Sequence, residues 1–218
     1  MSANESAANW IAKKLGEDPD FTAVDHVGSG ILEIARKGGA TFKAAALGID
    51  DVVRQTHIAP LVQIPEPPEF IVNLPSKGIW EGGAIELVHR VPAAFGGLGD
   101  LVRASRDEPV YAYRNKQDQF FEQAFTQHSA VRKVTRVYDR LYHLERRRNL
   151  SDIMVVLVDA YDMSSEDVRH ARDVYGRYDA AVKMTSYGSV TISAREAAES
   201  MGAGAFKFGE LMGRLNRS

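Results

Sequence analysis

Two aspartates stand directly after the most apolar segment of the chain, and they are well placed to do chemistry. The segment Ile153–Val158 is a continuous apolar run, which predicts a central strand covered on both faces. Asp159 and Asp162 follow it. Because ligands of open α/β sheets gather at the carboxyl ends of strands, these carboxylates predict a site for a metal ion or a polar ligand. The alternative is that Asp162 only helps to cap a helix that begins near Ser164.

A basic segment is the second candidate site. Residues 131–148 carry seven basic side chains, and only Asp139 and Glu145 oppose them. The basic residues are Arg132, Lys133, Arg136, Arg140, Arg146, Arg147 and Arg148. Contacts of such a group with phosphates would bind nucleic acid with an affinity that depends on salt, and all of the group except Arg132 are taken as nucleic-acid-binding candidates. The alternatives are a solvated helix face and a contact between subunits.

The elements that must position these residues are clearest in the last third of the chain. A helix from Ser165 to Tyr175 is predicted by a capping box of Ser164 and Asp167. Strands are expected at 153–158, 178–184 and 206–208, and further helices from a capping box of Ser193 and Glu196 and at 210–215. The order strand, helix, strand, helix, strand predicts parallel strands with right-handed crossovers.

The first half of the chain predicts shorter strands. Residues 21–27, 31–35 and 41–47 are expected to form strands joined by glycine-containing turns, and a proline-rich break at 64–68 precedes a strand at 70–74. The segment 131–148 fits either a helix or a pair of strands that turn near Asp139. No internal repeat of fixed period is visible. The expected domains are residues 1–104 and 116–218.

The C-terminal third has a further pattern. A strand that ends in a Thr-Ser turn, at residues 182–188, is followed by a helix with small residues at Ala194, Ala197 and Ala198, and then by a short Gly-Glu-Leu segment at 209–211. This pattern resembles the end of Mrr-type restriction endonucleases. The resemblance implies an α/β fold with a restriction-endonuclease-like sheet and flanking helices in the C-terminal half, beside a smaller, strand-rich N-terminal unit.

The resemblance also implies a set of catalytic positions. PD-(D/E)xK nucleases place an Asp, and then a Glu or Gln followed by x-Lys, at the ends of adjacent strands; the carboxylates hold Mg²⁺ and the lysine activates water. Setting Tyr161 at the aromatic position of that motif puts Leu157 and Asp159 where Gln and Lys should stand, so the motif is not preserved. The upstream carboxylate would be Asp139 or Glu145, and Lys183 would be a displaced lysine. The candidate catalytic residues are Asp139, Asp159 and Lys183, with Asp159 as the metal ligand and Mg²⁺ required only in an active nuclease.

Composition limits the remaining function classes. The chain has 218 residues, a formal net charge of −2 and no cysteine, which excludes disulfides, cysteine-ligated metals and a thiol nucleophile. No apolar run approaches the ~18 residues that a membrane span requires, and the N-terminus does not have the pattern of a secretory signal. We expect a cytoplasmic protein that does not bind membranes.

Three functions are compatible with the sequence. The first is a non-catalytic nuclease-fold protein that binds nucleic acid, such as DNA, or a protein partner, in a restriction or phage-defence system. The second is a Mg²⁺-dependent DNA endonuclease with a displaced lysine. The third is an interaction or scaffold protein with no role on nucleic acid. A homodimer is expected if Trp80, Phe95 and the Phe120–Phe121 pair expose apolar surface.

Overall fold

A computed structural model describes residues 2–107 and 109–217. The chain forms two compact units, Met1–Asn115 and Lys116–Ser218, which are called unit 1 and unit 2. Both units are mixed α/β structures. The expectation of a smaller N-terminal unit was wrong, because unit 1 is the longer of the two. In the described residues it has seven strands against five in unit 2.

Unit 1 is built on a five-stranded sheet of order β1-β2-β3-β5-β7. The first three strands are antiparallel, and β5 and β7 continue the sheet parallel to β3. A separate parallel pair is formed by β4 and β6. The elements in chain order are α1 (Ala3–Gly16), β1 (Phe21–Gly28), β2 (Ile31–Arg36), β3 (Thr41–Leu47), β4 (Val52–Val53), α2 (Gln55–Val62), β5 (Phe70–Asn73), β6 (Ile79–Trp80), α3 (Gly82–His89), β7 (Ala94–Gly96), α4 (Leu98–Ala104) and a short 3-10 helix (Val110–Ala112).

Unit 2 has a five-stranded sheet of order β12-β11-β10-β9-β8. As in unit 1, the three strands that come first in the chain, β8, β9 and β10, are antiparallel. Strands β11 and β12 continue the sheet parallel to β10. The elements are α5 (Lys116–Gln127), β8 (Val131–Tyr138), β9 (Leu141–Arg146), β10 (Ile153–Val158), α6 (Ser165–Tyr175), β11 (Ala180–Lys183), α7 (Ile192–Ser200), β12 (Gly204–Phe206) and α8 (Phe208–Arg214).

The predicted central strand of unit 2 is confirmed. Alternate side chains of β10 enter two separate apolar cores, with Val155 and Leu157 on one face and Val156 and Val158 on the other. The first core lies under α5 and α8, and the second lies under α6 and α7. Burial of both faces accounts for the unbroken apolar run, because neither face of this strand meets water.

The two units repeat one topology at a nearly constant spacing. The first strands begin at Phe21 and Val131, and the second strands begin at Ile31 and Leu141, so these elements lie 110 residues apart. Both first strands carry irregularities at matching places, one near each end. In the C-terminal part of each unit the spacing is constant: β5, α3, β7 and α4 each begin 110 residues before β11, α7, β12 and α8. The expectation that the chain has no internal repeat was therefore wrong.

The repeat keeps the chemical type of core residues more than their identity. Ile11 and Leu15 of α1 are buried, and their counterparts in α5 are the buried Phe121 and Phe125. Apolar residues of different shape serve the same layer of the core, because volume can be redistributed among neighbouring side chains. This tolerance hides the repeat from inspection of the sequence.

The ambiguous segment 131–148 folds as a pair of strands, β8 and β9, and not as a helix. One further expectation was wrong. The N-cap of α7 is Thr191, whose side chain accepts a hydrogen bond from the amide of Ala194, and not Ser193. Thr191 also donates to the carbonyl of Met163, which fixes the start of this helix. No helix in residues 2–107 and 109–217 is long and apolar enough to cross a membrane.

Candidate functional site

The loops that follow β10, β11 and β12 lie at one edge of the unit 2 sheet. We call this region the carboxyl edge, and it comprises residues 159–163, 184–191 and 207. The three strands are parallel, so their carboxyl ends meet there. Helices α6, α7 and α8 begin at the same edge. In open α/β sheets this is the edge at which ligands bind.

Asp159 lies on the carboxyl edge in an open position. Its side chain is 47% exposed, and its nearest charged partner is the guanidinium of Arg140, at 3.9 Å. The amide of Leu157 donates to the carbonyl of Arg140, which places the end of β10 beside the start of β9. The carboxylate is therefore accessible and only loosely paired.

Asp139 occupies the turn between β8 and β9 and is held by two donors. Its Oδ1 accepts hydrogen bonds from the hydroxyl of Tyr175, at 3.2 Å, and from the amide of Arg140, at 3.1 Å. Burial raises the pKa of this carboxyl to about 6, although the positive charges of Arg140 and Arg136 act in the opposite direction. Asp139 thus anchors the turn to α6 and is protonated more readily than an ordinary aspartate.

Lys183 ends β11 and is 1% exposed. Its ammonium donates to the carbonyl of Thr185 at 2.9 Å, to the hydroxyl of Thr185 and to the carbonyl of Tyr187. Burial lowers the pKa of this lysine, and the negative charge of Asp162 opposes that shift. Three protein oxygens thus already satisfy the donors that a catalytic lysine would need for water.

The three candidate catalytic residues do not form a common cluster of ligands. Asp159 pairs with Arg140, Asp139 with Tyr175, and Lys183 with its own loop. Within residues 2–107 and 109–217, no group of three or more histidine, aspartate or glutamate side chains could hold a metal ion. Asp159 alone does not complete a Mg²⁺ site, since this ion needs near-octahedral oxygen coordination.

Asp162 has a role that differs from the expected helix cap. Its Oδ1 accepts from both the amide and the hydroxyl of Ser189, each at 2.7 Å. These hydrogen bonds lower the pKa of Asp162. The cap of α6 is instead the reciprocal pair of Ser164 and Asp167. Asp162 therefore joins the loop after β10 to the loop after β11.

The basic segment is largely engaged within the protein. Arg136, at 8% side-chain exposure, is enclosed by the carboxylates of Asp118, at 2.6 Å, and Glu122, at 3.0 Å. Arg132 and Lys133 both pair with Glu145. This arrangement is a correction to the sequence interpretation, because an enclosed Arg136 cannot reach a phosphate.

Two more candidates of the basic segment bind carbonyl groups. Arg146 donates to the carbonyls of Ser151, Leu215 and Arg217, and Arg147 donates to the carbonyl of Val131. The contact of Arg146 with Leu215 is repeated in unit 1, where Arg36 donates to the carbonyl of Ser105 over the same 3.3 Å. Arg36 therefore binds the C-terminal end of α4 and Arg146 that of α8, which is a structural role. Arg140 is partly exposed beside Asp159, and Arg148 is exposed on the loop after β9.

The carboxyl edge exposes aromatic residues that the sequence interpretation did not select as a site. Tyr161 is 70% exposed and Tyr187 is 74% exposed. Their loops touch, since the hydrogen bonds of Asp162 with Ser189 connect the residues that follow them. The sequence does contain a signal for this aromatic surface: each tyrosine follows a predicted strand within a few residues and lies in a polar loop. Large side chains at such positions have no core to fill.

A pocket of about 310 Å³ lies next to these loops. Its walls include Phe120, Phe208, Lys183 and Lys207. The rings of Phe120 and Phe208 are 5.0 Å apart, and Phe120 remains half exposed. The carboxyl edge therefore combines exposed aromatic faces with an exposed lysine, Lys207.

A larger pocket, of about 570 Å³, lies at the opposite ends of the same strands. Arg146, Arg195 and Glu199 are among its lining residues. Arg195 makes two hydrogen bonds of 3.0 Å with Glu210 and donates to the carbonyl of Ala205, so its guanidinium serves unit 2 itself. The carboxyl edge is the better candidate for a ligand, because its exposed groups have fewer partners within the protein.

Comparison with known proteins adds no family to these observations. No protein-family model matches the chain, and neither a curated protein nor a solved structure shows significant similarity to it.

Proposed function

We propose that this protein is a non-catalytic relative of the PD-(D/E)xK nucleases that binds single-stranded nucleic acid at the carboxyl edge of unit 2. The observation that carries the proposal is the pair of exposed tyrosines, Tyr161 and Tyr187, on touching loops. The exposed Lys207 lines one pocket with the residues on either side of Tyr187. Bases of any sequence stack on aromatic rings, and a neighbouring lysine attracts the phosphates between them. The same edge receives the N-termini of α6 and α7, whose dipoles favour anions.

The nuclease relationship in this proposal rests on the placement of two carboxylates. Asp139 precedes β9 and Asp159 follows β10, and these strands are neighbours in the sheet. Both carboxylates lie at ends of neighbouring strands, as the resemblance to Mrr-type enzymes implies, but Asp159 stands at the position of the motif's lysine and Leu157 at that of its Glu or Gln. The absence of catalysis is supported by Lys183, whose ammonium is already bonded to Thr185 and Tyr187.

The test is fluorescence anisotropy with labelled single-stranded DNA, single-stranded RNA and duplex DNA over a series of salt concentrations, with Mg²⁺ present and the products examined on a gel. We expect single strands to bind and to remain uncut. Tyr161→Ala and Tyr187→Ala should each raise Kd by about tenfold, which corresponds to the loss of one stacked base at ~1–3 kcal/mol. Tyr111→Ala is the matched control, because Tyr111 is an exposed tyrosine of unit 1. It should leave Kd unchanged.

Two results would contradict the proposal. One is no binding of single strands even at low salt. The other is binding that Tyr161→Ala and Tyr187→Ala leave intact. Cleavage that depends on Mg²⁺ and is lost in Asp159→Ala would instead support an active endonuclease with a displaced lysine.

A protein partner is the second candidate, and the internal pairing of the basic segment favours it. Arg136 is enclosed by carboxylates, and Arg132 and Lys133 both pair with Glu145. Tyrosine is also enriched at the centres of protein interfaces, so Tyr161 and Tyr187 suit this role. If nucleic acid does not bind, light scattering after size exclusion will show whether the partner is a second copy of the chain, and Tyr187→Ala should then dissociate it.

A further inference from the structure

Lys183 is the most deeply buried charged side chain in the described parts of the chain, residues 2–107 and 109–217. No carboxylate lies within ion-pairing distance of it there; its ammonium is bonded to oxygens of Thr185 and Tyr187 instead. Removing an ammonium from water without a paired carboxylate is unfavourable unless hydrogen bonds compensate for the lost hydration. The lysine therefore needs a reason beyond filling space in the sheet.

The ammonium of Lys183 organises the loop after β11. It donates to the carbonyls of Thr185 and Tyr187 and to the Thr185 hydroxyl. The hydroxyl donates to the carbonyl of Tyr187, at 2.9 Å, and lies 3.5 Å from the carbonyl of Ala160 in the loop after β10. One buried charge thus holds the loop of Tyr187, which the hydrogen bonds of Ser189 with Asp162 join to the loop of Tyr161.

The neighbouring glycine keeps these loops close. Gly188 has a φ of +74°, in the left-handed region, and a Cβ on it would lie 1.9 Å from the carbonyl oxygen of Tyr161. Only glycine fits this approach. Because the backbones are this close, the orientation of the Tyr187 side chain depends on the position of the Tyr187 carbonyl. The ammonium of Lys183 donates to this carbonyl and holds it in place.

Unit 1 provides a comparison at the same structural position. Asn73 ends β5, as Lys183 ends β11, and it is also buried. Its side-chain amide makes hydrogen bonds with the amide and the carbonyl of Ile49, so it joins two loops without any charge. The fold therefore does not require an ammonium here. Unit 1 also has no tyrosine at the counterparts of residues 161 and 187, which are Asp50 and Lys77.

We propose that Lys183 is a positioning residue: it fixes the loops of Tyr161 and Tyr187 in the arrangement that stacks on the bases of a single-stranded nucleic acid. The inference rests on the proposed function. It assigns to Lys183 a role in binding that acts through the tyrosines and not through contact with a phosphate or a metal ion.

The test compares the wild type with Lys183→Asn, which installs the residue of unit 1, and with Lys183→Arg, which retains the charge. Hydrogen exchange of residues 159–163 and 184–191 is measured by mass spectrometry without nucleic acid, and Kd is measured with labelled oligo(dT). In Lys183→Asn we expect exchange in both loops to be about tenfold faster and Kd to rise by about tenfold, the effect of one lost base stack. Lys183→Arg should restore part of both. Asn73→Ala, the matched control, should disturb the loops of unit 1 and leave Kd unchanged.

The two measurements separate the possible failures. If the wild type does not bind oligo(dT), the proposed function fails and the binding role of Lys183 falls with it, while the exchange data still decide whether Lys183 holds the loops. If the wild type binds and Lys183→Asn binds equally well, the positioning role is overturned and the proposed function stands. If hydrogen exchange in both loops of Lys183→Asn equals that of the wild type, Lys183 does not hold the loops and the inference is overturned. Should Lys183→Asn fail to fold, hydrogen exchange and Kd of Lys183→Arg decide instead. Arginine keeps the charge but changes the donor geometry, so we expect faster exchange and weaker binding than in the wild type, and unchanged values of both would overturn the inference.

Discussion

Asp139 carries a titration whose effect on stability can be worked out from its surroundings. Burial raises its pKa from 3.8 to about 6, and the hydrogen bonds from Tyr175 and from the amide of Arg140 do not reverse the shift. Because the pKa in the folded protein exceeds that in the unfolded chain, the protonated carboxyl stabilises the fold below pH ~4. This contribution is lost as the pH rises from ~4 to ~6.

Replacement by asparagine should therefore stabilise the protein at neutral pH. A change of the pKa from 3.8 to about 6 corresponds to about 3 kcal/mol at 1.36 kcal/mol per pH unit. The residue is only partly buried, so solvent screening reduces the expected gain to about 1–2 kcal/mol. The asparagine side chain would still accept both hydrogen bonds through its own Oδ1, which makes Asp139→Asn close to isosteric.

Urea denaturation at pH 4, 5.5 and 7.5, followed by far-UV circular dichroism, measures the effect. At pH 7.5 the free energy of unfolding of Asp139→Asn should exceed that of the wild type, and the difference should vanish toward pH 4. Asp159→Asn is the control, because Asp159 is half exposed and its ion pair with Arg140 spans 3.9 Å. It should change stability by less than about 0.5 kcal/mol. A variant at position 139 that is less stable at pH 7.5, or that keeps the pH dependence of the wild type, would show that the carboxyl is not destabilised by burial.

Two further predictions concern arginines of the basic segment. Arg136→Met should destabilise the protein by about 3 kcal/mol in urea denaturation, because it leaves Asp118 and Glu122 without the guanidinium between them; a loss below about 1 kcal/mol would mean that the pair is solvated. Arg146→Ala and Arg36→Ala should each cost at least about 1 kcal/mol, because each removes the hydrogen bond to the C-terminal end of α8 or α4 together with the other partners of its guanidinium. The affinity of Arg146→Ala for oligo(dT) should equal that of the wild type. Weaker binding would show that Arg146 contributes to the nucleic-acid-binding surface.

Local signals in the sequence predicted the elements of unit 2 wherever one physical cause dominated. The run at 153–158 is typical of a strand covered on both faces, and the Ser164–Asp167 capping box marked the start of α6. The predicted start of α7 was wrong because a second interaction, outside the capping pattern, decides where the helix begins. Ser193 and Glu196 form the better capping pattern, but the parallel bridge between Met163 and Val190 places the helix start at Thr191.

The segment 131–148 was ambiguous for a geometric reason. Strand β8 has register irregularities between Val131 and Lys133 and between Arg136 and Tyr138. Each adds a residue to the alternation of the two faces, so apolar residues recur at spacings that also fit a helix. A turn at Asp139–Arg140 completes the hairpin without a glycine to mark it.

The contacts of the candidate site could not be read from the sequence because its partners lie far apart in the chain. Arg136 is enclosed by carboxylates of α5, and Asp139 is held by a tyrosine at the end of α6. A basic residue that pairs across the fold looks the same in sequence as one that faces solvent. The count of basic residues in 131–148 therefore overestimated the charge available to a ligand.

The repeat allows each unit to serve as a reference for the other. Positions at which both units use the same chemistry serve the fold: Asp100 and Glu210 accept from the backbone amides of Gly97 and Lys207, at the start of the last helix of each unit. Positions that differ at the same place in the fold are released from that requirement, and three of them lie where the parallel strands of unit 2 end. There Lys183, Tyr187 and Lys207 of unit 2 stand where unit 1 has Asn73, Lys77 and Gly97. Since a neutral amide and a glycine suffice for the same backbone in unit 1, the fold does not require the charges of Lys183 and Lys207 in unit 2, and this agrees with the proposed role of this edge in binding.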